Sequence, residues 1–142
     1  MRASRPLPRT LSVKITTTML SIRINRDSVH AGDDFESHAK TIDAGGSLSI
    51  GDFLCQLRGT YLPGIAGGEA TWIVSASGPN SNPIGVVAQQ WREPRLRVPL
   101  STSLGELFGS SPPTITFEYW CQKSPELVFS CISSGREPPS KY

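Results

Sequence analysis

Leu20, Ile22 and Ile24 alternate with Ser21, Arg23 and Asn25, a period of two that predicts a half-buried strand opening at Met19. Gly32-Asp33-Asp34 reads as a turn. From Phe35 to Thr41 alternation resumes, with Glu36, His38 and Lys40 as its polar set, so 19–42 is expected to be a hairpin. Asp43-Ala44-Gly45-Gly46 breaks the pattern, and the period then changes. Ile50, Phe53, Leu54 and Leu57 fall at i, i+3, i+4 and i+7, one stripe of an α-helix. Ser47 or Ser49 caps its start and Gly59 is placed to end it, with Cys55 expected on the buried side.

The segment Tyr61 to Ala70 mixes glycine and proline with large apolar groups and must be a loop. Strands are expected over Thr71–Ala76, around Trp72, Ile73 and Val74, and over Ile84–Trp91, with the turn Gly78 to Pro83 between them. Pro94 and Pro99 limit the second of these. Ser103 and Glu106 form a capping box ahead of one short helical turn. Thr114 to Trp120 alternates again, with Ile115, Phe117 and Tyr119 on one face. Ser124-Pro125-Glu126 starts a short terminal helix carrying Leu127, Val128, Cys131 and Ile132. Gly135 and Pro138-Pro139 are expected to end ordered structure.

This order resembles the ubiquitin-like β-grasp superfamily, through the opening hairpin, the capped helix at 47–58 and the short capped turn before the last strand. The resemblance implies an α+β fold in which a mixed sheet wraps one helix, with a short C-terminal helix added. It also implies partner binding through the sheet face or by adding a strand to an exposed edge. Modifiers and sulfur carriers of that superfamily end in a free Gly-Gly just past the last strand. This chain runs on to Tyr142 with only Gly135 downstream, so that chemistry is not expected.

Length then sets the organisation. At 142 residues one domain is expected, confined to 19–122, between a disordered basic extension at 1–18 and a short helix and disordered tail at 123–142. Residues 1–18 are rich in Arg, Ser and Thr and free of acids, as transit peptides are, but Pro6 and Pro8 break an amphipathic helix. No apolar run approaches a membrane span. The net charge of +2 sits at the ends: residues 1–18 carry +4 and the tail from Ser133 carries +1, leaving the body at −3. That balance argues against a nucleic-acid surface. Three cysteines without a CxxC spacing fit reduced thiols and a cytoplasmic location.

Candidate chemistry is sparse. His30, Asp33, Asp34 and His38 are the one cluster of metal-ligand type, and His30, Asp33 and His38 would serve a small metal-dependent enzyme. Gly-Asp-Asp is also ordinary turn chemistry. No nucleophile motif is present, so neither catalysis nor a cofactor is expected. The sharper features suit a protein partner. Tyr61, Leu62 and Ile65 either pack on the core or are presented to a partner. Trp91 with Arg92 and Arg95, together with Trp120, adds aromatic and cationic groups of the kind that dominate interfaces. The expected function is a non-enzymatic protein-interaction domain: an adaptor, a regulator or an immunity-type binder.

Overall fold

The first alternation does form a strand, β1 (Met19–Arg26), in a computed structural model that describes residues 18–78 and 83–141. The expected basic extension, save Thr18, and the centre of the turn at 79–82 lie outside the described residues. β1 pairs antiparallel with β2 (Lys40–Gly45), which begins five residues later than its sequence pattern suggested. The reason is visible in the register. Ile42 lies opposite Ile22 and Ala44 opposite Leu20, so the apolar alternation that matters is Ile42/Ala44. Residues 31–35 instead form a 3-10 turn.

Helix α1 (Ile50–Thr60) starts at Ser49, whose Oγ accepts the Asp52 N–H at 3.1 Å. It runs through Gly59 and stops at Tyr61. Its stripe Ile50, Phe53, Leu54 and Leu57 is at most 2% exposed. Cys55, one position past Leu54, is turned about 100° off that stripe and is exposed, contrary to the expectation of a buried thiol.

Strands β3 (Thr71–Ala76), β4 (Gly85–Ala88), β5 (Arg95–Leu96) and β6 (Thr114–Tyr119) complete one six-stranded sheet, ordered β2-β1-β6-β3-β4-β5. β1 and β6 run parallel and every other neighbour is antiparallel. Between β5 and β6 the capping box forms as expected: Ser103 and Glu106 cap each other across the first turn of α2 (Leu104–Phe108). The fold is therefore α+β.

Alternation along β3 and β6 sorts the side chains into two layers. Trp72, Val74, Ile115 and Phe117 join α1 and α2 in the main core. Ile73 and Val86 face the other way. They are covered by Val128 and Ile132 of α3 (Pro125–Ser133), which Ser124 caps and Pro125 opens. The sheet is thus helix-covered on both faces, with α3 over its β3–β4 half. The rest of that second face carries the exposed polar residues of β1, β2 and β6.

Candidate functional site

The polar hairpin residues do meet, but as a structural clasp. Asp33 accepts two hydrogen bonds from the Arg26 guanidinium, at 2.7 and 3.2 Å, and a third from the Val29 N–H at 3.0 Å. These bonds, with the Arg26 charge, hold its carboxyl far below the usual carboxylate range. Ser28 Oγ lies 3.2 Å from His38 Nε2, and Asp33 Oδ1 lies 3.6 Å from the same nitrogen. A relay needs the acid on one ring nitrogen and the nucleophile on the other, so Ser28, His38 and Asp33 do not compose one. His30 is exposed. Among the described residues no group of three or more His, Cys, Asp or Glu is placed to hold a metal ion, and the set His30, Asp33 and His38 does not converge as the metal reading required.

Tyr61, Leu62 and Ile65 pack against the main core. Tyr61 donates its hydroxyl to the His38 carbonyl, and its ring tilts against Phe117 at 6.1 Å between centroids. Burial pushes its phenol pKa up. Gln89 pins the loop from the far side: its Oε1 accepts the Ile65 N–H at 2.8 Å and its amide donates to the Ile65 carbonyl at 3.2 Å. Trp91 and Trp120 lie in the second layer, across the sheet from these three. The expected residues therefore fall into two groups on opposite faces, not one patch.

Around Trp91 the structure adds a partner that the sequence did not signal. The indole N–H donates to Glu126 at 2.9 Å and lowers that carboxyl's pKa, while the Arg95 guanidinium stacks 4.5 Å from the ring centroid. Arg58 reaches the Trp91 carbonyl from α1. The result ties α3 to the β4–β5 turn. Arg92 is exposed beside it.

Trp120 sits at the end of β6, half-buried on the face that α3 covers. Gly135 takes a left-handed φ of 74° and turns the chain out of α3, with the Arg136 N–H closing on the Cys131 carbonyl at 2.9 Å. The following residues lie back over the sheet. The Trp120 indole donates to the Pro139 carbonyl at 2.7 Å, and Lys141 Nζ sits 5.0 Å from the ring centroid. Beside this contact opens a cleft of about 400 Å³ with Ile73, Trp120 and Ile132 among its apolar walls and Glu118, Arg97 and Arg136 among its charged ones. Its size lies within the range of small-ligand sites. The sequence signal for it is Trp120 followed at a distance by Pro138-Pro139-Ser140-Lys141, a pattern that in sequence alone marks the end of ordered structure.

No family model, curated protein or solved structure matches this chain.

Proposed function

We propose that the chain is a non-enzymatic protein-interaction domain on a β-grasp-like scaffold, and that a partner strand adds to the edge of β2. Support for the scaffold is the pair of parallel strands β1 and β6 in mid-sheet, an antiparallel pair on either side, and α1 across one face. In this reading β5 and α3 are additions. Its cytoplasmic location is part of the proposal and rests on three unpaired cysteines.

The observation that carries the function is the edge itself. β2 pairs with β1 alone among the described strands, and Gly46 N–H bonds the Thr18 carbonyl at 2.8 Å. Alternation along an antiparallel ladder then makes Ala44, Ile42 and Lys40 the residues bonded to β1, and turns the backbone of Thr41 and Asp43 outward. The opposite edge, β5, is two residues long and follows Pro94, the kind of edge that resists pairing.

The test replaces Thr41 and Asp43 together by Pro, which removes the two outward donors and leaves the β1 ladder intact. Circular dichroism and thermal unfolding establish that the variant folds. A partner captured from the native host by the intact chain, and released by T41P/D43P, supports the reading. Capture that survives the double substitution, or an intact chain that captures nothing specific, sinks it.

A further inference from the structure

The tail contact is a peptide complex made within one chain. Its elements are those by which extended proline segments are recognised elsewhere. Pro138 and Pro139 have φ fixed near −65° and lack backbone N–H donors, so the segment is pre-extended and unable to join a sheet. The Trp120 indole N–H reads the carbonyl of the second proline. A lysine two positions on sits over the same ring. The adjoining cleft continues the apolar surface past Pro138 along Ile73 and Ile132, with charges of both signs, Glu118 against Arg97 and Arg136, on its walls.

We propose that the Trp120 face is a binding site for a proline-rich segment of a protein partner, of the form Pro-Pro-x-Lys, and that residues 136–141 are a strap that occupies it in cis until the partner displaces them. The proposal rests on the interaction-domain reading but uses a different surface from the β2 edge. A tethered segment this close to its site acts at an effective concentration on the order of millimolar. Occupancy of the site by the strap therefore lowers the apparent affinity of an incoming segment by the fraction of molecules with the strap lifted.

The experiment is a titration of the full-length chain with the synthetic peptide Arg-Glu-Pro-Pro-Ser-Lys-Tyr, followed through the indole N–H resonances of the three tryptophans. It compares the intact chain with a full-length variant whose strap is released by Pro138→Ser, Pro139→Ser and Lys141→Ala. The released variant is expected to bind the peptide saturably, with the Trp120 resonance moving and Trp72 still. The intact chain is expected to bind at least about tenfold more weakly. A control peptide with both prolines replaced by alanine leaves the protein unaltered and is expected to lose binding; Trp120→Phe in the released variant, which keeps a ring and loses the donor, is expected to do the same, read by calorimetric titration because the reporting indole is gone. Absence of a Trp120 shift in the released variant, equal affinity in the two proteins, or equal binding of the control peptide overturns the proposal. So does a tail-dependent dimer of the intact chain, which would place the strap on a second copy. No native partner enters the titration, so its outcome is independent of the β2-edge experiment.

Discussion

At the scale of the residue, Asp33 gathers three hydrogen bonds on one carboxylate. It ties the end of β1 to the 3-10 turn through Arg26, and both side chains are largely shielded, at 10% and 17% exposure. Hydrogen bonds to a charged group contribute roughly 1.5–3 kcal/mol. Asp33→Asn is accordingly expected to destabilise the chain by about 2 kcal/mol at neutral pH. The carboxyl's pKa is lowered on folding from an ordinary 3.8. The unfolded chain therefore binds the proton first, so this stabilisation is complete above that value and is lost as pH falls below it toward the folded pKa. Urea unfolding of the two proteins measures it: the gap seen at pH 7 is expected to narrow as the acid end of the range is approached, and a gap independent of pH would place the effect elsewhere. Asp33 also marks a limit of the sequence. A Gly-Asp-Asp turn and nearby histidines were legible, but Arg26 as partner was not. It lies at the end of a strand whose alternation says only which residues face the core.

Elements were legible wherever a local signal carried them. The caps at Ser49, Ser103 and Ser124 each bond the backbone N–H three residues on, and the helices begin there. β3 matched its apolar run because Trp72 and Val74 on one face and Ile73 on the other make it buried on both sides. The displacement of β2 has the opposite cause: Phe35–Thr41 alternates as well as Ile42–Ala44 does, and only the pairing with Ile22 and Leu20 decides between them. β5 was missed because two residues carry no period at all. Its presence is fixed instead by Gly85, where a Cβ would stand 2.3 Å from the Arg95 carbonyl oxygen and 2.8 Å from the Leu96 Cα. Gly85→Ala must push β5 away or shift β4. A loss of about 1–3 kcal/mol is expected, in the range of overpacked sites. Thermal unfolding measures the total, and hydrogen exchange at Arg97, whose N–H bonds the Ile84 carbonyl at 2.7 Å, reports whether β5 has detached. A variant as stable as the parent, with Arg97 still protected, would show that the strand accommodates the methyl.

At the scale of the whole molecule the two layers are unequal, and the second is the one on which the strap depends. The main core buries the large side chains of two helices and four strands, Phe53, Trp72, Phe108 and Phe117 among them. The second buries Ile73, Val86, Val128 and Ile132. A nine-residue helix has little stability of its own, so α3 persists through the packing of Val128 and Ile132 on Ile73 and Val86, with Trp91, Trp120 and Phe129 at the margin, and a few hydrogen bonds. One is Trp91 to Glu126; another runs from Thr71 Oγ to the Lys123 carbonyl at 2.6 Å. Regions with few buried contacts open at free energies below that of global unfolding. The α3 amides are therefore expected to exchange by local opening, ahead of those of β3 and β6, and the strap that α3 anchors through Gly135 is expected to open with it. Ile132→Ala should lower α3 protection by about 2–4 kcal/mol, the range for truncating a buried isoleucine. It should leave exchange in α1 unchanged until global unfolding takes over. Native-state hydrogen exchange distinguishes this from a single cooperative unit: α3, β3 and α1 amides all exchanging at one common free energy, in parent and variant alike, would mean that β3 transmits the loss of one layer to the other at once. β3 has the geometry to do so, since its alternate residues belong to both layers. What weighs against it is that α3 packs on the sheet mainly over β3 and β4, so its departure leaves the strand pairs and the α1 layer in place.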